Sequence, residues 1–136
     1  MSGIALALLK NGFSVSGSDI TKNDRLMEIS KNGGIIFNTQ QPNNIDLIKK
    51  KFHNKKITIV ISSAINNKNK ELNYCLDQHL KIKHRSEILS LIMKSFKSIA
   101  VAGSHGKTST STFLTTLMDS CNKDTSSIIG GIIPRY

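Results

Sequence analysis

Ile57-Thr58-Ile59-Val60-Ile61-Ser62-Ser63 is the stretch that decides the fold. Its first five residues are all β-branched, and no polar alternation interrupts them. A run of that kind suits a strand buried on both faces of a parallel sheet, and the two serines close it. Upstream lies Lys49-Lys50-Lys51-Phe52-His53-Asn54-Lys55-Lys56, a basic stretch that reads as a solvated surface joining a helix to this strand. Before it, residues 44–51 read as a short helix and Ile35-Ile36-Phe37 as a brief strand. Residues 24–31 carry Leu26, Met27 and Ile29 and predict a helix stopped by Asn32-Gly33-Gly34. Phe13-Ser14-Val15-Ser16-Gly17 alternates as a strand does, and residues 2–11 read as a helix ended by Asn11-Gly12.

Downstream, residues 71–80 place Leu72, Cys75, Leu76 and Leu80 on one helical stripe. Residues 86–96 do the same with Ile88, Leu89, Ile92, Met93 and Phe96. Residues 98–102 predict a strand, and residues 108–121 a helix with Phe113, Leu114, Leu117, Met118 and Cys121 inward. Residues 126–129 predict a last strand. Strands separated by helices of about ten residues imply right-handed βαβ units and a mostly parallel sheet. The chain opens on a helix and stops one predicted strand after a glycine turn, so both ends read as cut.

Composition narrows the classes. The chain has 136 residues, 38% of them hydrophobic, with 19 Lys+Arg against 9 Asp+Glu. That is a globular composition, too apolar for a disordered tail. Segment 4–9 is apolar but too short to span a membrane, and no leader pattern frames it. A net charge of +10 raises nucleic acid as a partner. Sixteen of the cations are lysines scattered among asparagines, Trp is absent and aromatics make up 5%. Base stacking wants several aromatics and base readout favours arginine, so no nucleic-acid partner is expected. Cys75 and Cys121 have no zinc-type spacing and read as reduced core thiols of a cytoplasmic protein. His53, His79 and His84 have no metal-type partners in sequence.

The chemistry concentrates at Gly103-Ser104-His105-Gly106-Lys107-Thr108, between a predicted strand and a predicted helix. Glycines let backbone N–H groups approach an anion, and a helix N-terminus adds its partial positive charge. Lys107 has the reach to contact β- and γ-phosphates, and the Thr108 hydroxyl can ligate Mg²⁺. The spacing is Gly-x-x-Gly-Lys-Thr, because Val101 stands where the longer phosphate-loop pattern has glycine. An ordinary βα turn would also use these glycines. His105 is either a solvent-facing loop residue or a contact to phosphate.

Gly103 to Thr110 (Gly-Ser-His-Gly-Lys-Thr-Ser-Thr) resembles the ATP loop of the Mur ligases, the ATP-dependent amino-acid ligases that build the peptidoglycan stem peptide. Further segments agree in order. Met1-Ser2-Gly3-Ile4-Ala5 resembles the end of the family's glycine-rich nucleotide loop, and Ser16-Gly17-Ser18-Asp19 the end of its second strand. Ser62-Ser63-Ala64-Ile65 resembles the turn after its fourth strand. Arg85-Ser86-Glu87-Ile88-Leu89 is similar to its Arg-x-Glu-x-Leu helix start, and Ile129-Gly130-Gly131 to a strand end beyond the ATP helix.

The resemblance implies an N-terminal UDP-sugar domain over 1–97, Rossmann-like with its first strand missing. The start of a P-loop ATP domain would follow over 98–136. It implies ATP contacts from Gly103, Ser104, His105, Gly106, Lys107, Thr108 and Ser109, with Lys107 catalytic and Thr108 on Mg²⁺. It implies UDP-sugar contacts from Ser2, Gly3, Ser18, Asp19, Ser62, Ser63 and Arg85. From the residues alone, Ser18, Asp19, Ser62 and Ser63 serve equally as caps and turn formers, and Arg85 as an ion-pair partner. The histidine before Gly-Lys-Thr points to the members whose acid substrate is UDP-N-acetylmuramate. Their amine is L-alanine or, in a recycling branch, a tripeptide. The carboxylate attacks the γ-phosphate of ATP, and the amine captures the acyl phosphate. The family's first strand, most of its Gly-x-Gly-Gly-x-Gly loop, an acidic Mg²⁺ ligand and an amino-acid domain would then lie outside these 136 residues, making this an inactive fragment. That first strand belongs between the strands near 13–17 and 57–61. A non-catalytic nucleotide-binding module is the remaining alternative.

Overall fold

The computed structural model describes residues 1–21, 23–123 and 125–129. The chain divides into two compact units, Met1–Met93 and Lys94–Tyr136.

In the first unit α1 (Ser2–Lys10) is followed by β1 (Ser16–Ser18), α2 (Asp24–Lys31), β2 (Ile35–Phe37) and α3 (Pro42–Lys51). Then come β3 (Thr58–Ile61), α4 (Lys70–Asp77), β4 (Lys81–His84) and α5 (Arg85–Lys94), whose last residue falls in the second unit. Local chemistry sets these boundaries. The Asn23 side chain accepts from Leu26 N–H and starts α2, Pro42 opens α3 at a position where its missing N–H costs nothing, and Asn69 accepts from Leu72 N–H to start α4. Gly33 turns out of α2 at φ +88°, a conformation that favours glycine. Gly34 then passes so close to the helix that a Cβ would stand 2.5 Å from Ile29 Cγ2.

Among the described residues all strand pairing is parallel, as expected of an α/β alternation, but the ladder is not continuous. β1 pairs with β2, Ser16 opposite Ile35 and Ser18 opposite Phe37. β3 pairs with β4, Thr58 opposite Lys81 and Ile61 opposite His84. β1 and β3 form no ladder with each other. That break falls where the resemblance puts the family's first strand. It also explains why the β-branched run of β3 is only part-buried, with Thr58 exposed: this strand pairs on one side. The core is assembled by the helices, Ile4 from α1, Ile29 from α2, Ile48 from α3, Leu72 and Cys75 from α4 and Ile88 from α5. Leu76 and Phe96, placed inward from periodicity, are exposed. α3 and α4 are also tied by the Tyr74 hydroxyl, which donates to Asp46 at 2.5 Å, and by Lys49 above the Tyr74 ring.

The sequence pattern does not announce β4, and the strand expected over 13–17 forms at 16–18. In the second unit α6 (Lys107–Ser120) forms as expected. Two expected strands do not. Residues 98–102 and 126–129 carry no ladder, and Ile99 is 66% exposed. β-branched composition favours extended backbone, but a strand exists only through the partner that takes its N–H and C=O groups. Phe113 and Leu117 of α6 and Cys121 beyond it, expected inward, are exposed. Gly130 and Gly131 of the expected strand end lie outside the described residues.

Candidate functional site

The first unit gathers its candidate residues around strand ends and the start of α1. Ser2 and Gly3 are the first two residues of α1, whose N-terminus carries unpaired N–H groups and partial positive charge. Arg25 of α2 reaches this point and donates to Ser2 Oγ at 3.4 Å. Arg85 opens α5 directly after β4. The Arg25 guanidinium group and the α1 N-terminus thus lie together, an arrangement suited to an anionic ligand.

Ser18 ends β1 and Asp19 follows it. Asp19 Oδ1 accepts from Thr21 N–H at 2.9 Å and from Thr21 Oγ1 at 2.6 Å, and these bonds hold its carboxyl below the usual carboxylate range. Asp19 N–H donates to Phe37 O at 3.0 Å. The turn-forming reading of Asp19 is therefore realised. Ser62 and Ser63 follow β3, where Ile65 N–H closes a turn on Ser62 O at 3.1 Å. The start of α5 around Arg85 is closed by local bonds: Glu87 Oε2 accepts from His84 N–H at 2.7 Å, and His84 Nδ1 lies 2.8 Å from Ser86 Oγ. The His84 N–H bond, helped by Lys83, holds the Glu87 carboxyl below its ordinary value. A hollow of about 410 Å³ lined by Leu9, Phe13, Val15, Ile35, Lys51 and Phe52 is bordered by none of these candidates.

Sequence reasoning missed three residues here. Arg25 carried no motif. Glu71 of α4 receives a hydrogen bond from Ser18 Oγ and another from Asn44 Nδ2 at 3.0 Å. Asn44 is buried and also donates to Thr39 O at 2.5 Å. These links span 53 and 27 residues, so no local spacing announces them.

In the second unit the glycine turn leads straight into α6. Gly106 is its N-cap at φ +76°, and Gly103 also takes a positive φ of +156°. A side chain at Gly106 would be strained by the backbone although nothing lies within 4 Å of it. Lys107 is exposed, and its Nζ donates to Gly103 O and, at 3.0 Å, to Ser104 O. The ammonium therefore lies over the turn rather than out along the helix. Thr108 and Ser109 fill the next two positions of α6, and His105 is exposed within the turn. A glycine cradle, a folded-over lysine and a helix N-terminus with a threonine in its first turn fit the phosphates of a nucleotide. No group of three or more His, Cys, Asp or Glu able to hold a metal occurs among the described residues. Of the residues in this turn, Thr108 carries the hydroxyl that would serve a nucleotide-bound Mg²⁺.

Parallel strand pairs alternating with helices in the first unit, and a glycine turn leading into a helix in the second, define an α/β protein of the Rossmann-like kind. The profile described as "Mur ligase family, catalytic domain" matches residues 1–97, and the chain belongs to the Mur ligase family. It is 54% identical over 136 residues to UDP-N-acetylmuramate–L-alanine ligase of Prochlorococcus marinus subsp. pastoris, covering 100% of this chain and 29% of that protein. It is 38% identical to the ligase of the same name from Protochlamydia amoebophila, covering 100% of this chain and 28% of that protein. The chain therefore spans less than a third of the length of these curated relatives. Among solved structures, UDP-N-acetylmuramate:L-alanyl-γ-D-glutamyl-meso-diaminopimelate ligase from Neisseria meningitides superposes with a TM-score of 0.85 at 22% identity. That match covers 97% of this chain and 40% of the other. A murein peptide ligase from Psychrobacter arcticus gives 0.77 at 25% identity, over 90% and 24%. No described helix is long and apolar enough to cross a membrane.

Proposed function

We propose that these residues are part of an ATP-dependent ligase that joins L-alanine to UDP-N-acetylmuramate in peptidoglycan synthesis in the cytoplasm. Residues 1–97 would form its UDP-sugar-binding part and residues 98–136 the start of its ATP-binding part. The observation that carries this reading is the Gly103–Thr108 turn, closed by Lys107 onto its own carbonyls and capping α6. It occurs in a chain whose curated relatives bear that activity in their names.

Each group has a task. Arg25, Arg85 and the start of α1, with Ser2 and Gly3, hold the diphosphate of the UDP-sugar. Ser18, Asp19, Ser62 and Ser63 border its nucleoside. Gly103, Ser104, His105, Gly106, Thr108 and Ser109 cradle the phosphates of ATP, and the Lys107 ammonium exchanges its carbonyl partners for phosphate oxygens. Preorganised charge of this kind acts where charge develops during phosphoryl transfer. ATP with Mg²⁺, when bound, supplies the phosphoryl group that activates the sugar carboxylate toward the amine. These 136 residues alone would lack activity.

The solved relatives superposing on the chain include a ligase named for a tripeptide, which keeps tripeptide as a second acceptor reading. The test is a graft in which this chain replaces the matching 29% of the P. marinus ligase. ATP-dependent phosphate release that requires both UDP-N-acetylmuramate and L-alanine supports the reading. A folded graft that releases none refutes it. The graft leaves the acceptor to the relative's remaining residues, so it tests the sugar and ATP roles.

A further inference from the structure

Ser18 has one hydroxyl hydrogen, and the structure spends it. The acceptor is a carboxylate oxygen of Glu71, which has no hydrogen to return. The other Glu71 oxygen accepts from Asn44 Nδ2 at 3.0 Å. The orientation of Asn44 is itself fixed, because the same nitrogen donates to Thr39 O, which can only accept. Asn44 is 5% exposed, so this arrangement has little room to reorganise. Glu71 is anchored from below as well. Asn69, two residues earlier, caps α4 by accepting from Leu72 N–H at 2.9 Å, and its Nδ2 donates to Gln40 Oε1 at 2.7 Å. The lone pairs of Ser18 Oγ are what remains for a ligand.

We propose that Glu71 is a positioning residue that makes Ser18 a hydrogen-bond acceptor at the UDP-sugar site, so that Ser18 reads a donor on the nucleoside. The inference rests on the reading of residues 1–97 given above. The donor is an N–H or O–H group, either the imide N–H of the base or a ribose hydroxyl. A Ser18 hydroxyl free to rotate would accept and donate alike; one held by a carboxylate discriminates.

The sharpest variant is Glu71→Gln, which keeps shape and removes one acceptor. Asn44 still requires an oxygen, so the carbonyl of the new amide stays there and its NH₂ faces Ser18. The Ser18 hydrogen then turns outward and its polarity inverts. In the active graft, Glu71→Gln should raise KM for UDP-N-acetylmuramate about tenfold, the loss of one hydrogen bond to a polarised group. Values of kcat and KM for ATP should not change. Ser18→Ala should give a similar rise, and the double variant should be no worse than Ser18→Ala, because the two residues act as one unit. Uridine analogues identify the donor. Of the N3-methyl and deoxyribose analogues, one should bind wild type and Glu71→Gln equally. Unchanged KM in Glu71→Gln, additive losses in the double variant, or full discrimination against both analogues would each overturn the proposal. Should Glu71→Gln lower the unfolding midpoint, Ser18→Ala alone decides, and an unchanged KM there overturns it. An inactive wild-type graft would instead refute the functional reading.

Discussion

Replacing Lys107 by alanine separates the chemistry of the turn from its architecture. The Lys107 ammonium is exposed and makes two bonds to backbone carbonyls, those of Gly103 and Ser104. An intramolecular hydrogen bond contributes roughly 0.5–1.5 kcal/mol net, and the lower end applies where water replaces the partner. Both carbonyls are open to water, so the stability cost should stay near ~1 kcal/mol. Loss of a preorganised charge at a transferring phosphoryl group costs about 2.7–4 kcal/mol, a hundred- to a thousand-fold in rate. The turn itself should survive, because its shape is set by Gly103 and Gly106 and by Thr110 N–H donating to Gly106 O at 2.9 Å. The assay is phosphate release by the graft with UDP-N-acetylmuramate and L-alanine saturating, beside thermal unfolding. Activity within tenfold of wild type would refute the role given to Lys107. A rate loss matched by collapse of the unfolding transition would refute the separation of roles.

Three smaller predictions concern the first unit, each measured in the graft. Gly34→Ala should destabilise by about 1–3 kcal/mol in urea unfolding, because the new methyl overpacks against Ile29, which is 3% exposed. Asn69→Ala should cost about 0.5–2 kcal/mol through the lost α4 cap, while Asn69→Asp should retain most of it. Thr21→Val removes a hydroxyl that stabilises the charged form of Asp19, so the Asp19 carboxyl should titrate higher, followed by NMR. The sign follows from the depressed value: the Thr21 bonds stabilise the fold above the ordinary carboxylate range. That contribution is lost as pH falls through the folded-state value.

Much of the fold is legible in sequence where local chemistry decides. Residues 24–31 and 35–37 form the helix and strand expected of them, because Asn23 caps one and Asn32-Gly33-Gly34 separates the two. The helix after Gly106-Lys107 is equally plain. The failures share a cause. Lys81-Ile82-Lys83-His84 has one apolar residue, and only its register against β3 makes it a strand. Residues 98–102 have the composition of a strand but no ladder, so composition overstates them. Ser18 and Arg85 stand out in sequence only as members of the motifs that carry the family resemblance. Arg25, Asn44 and Glu71 act through side chains that meet across 23 to 53 residues, a distance at which neither periodicity nor spacing gives a signal.

Titration calorimetry of the graft with each ligand separately tests the central claim, that one part of this chain holds the UDP-sugar and the other holds ATP. Arg85→Ala should weaken UDP-N-acetylmuramate at least about tenfold, the size expected for one charge-assisted contact to phosphate, and leave the ATP affinity unchanged. Lys107→Ala should do the reverse. Equal loss of both ligands in both variants, or no loss in either, would contradict the account.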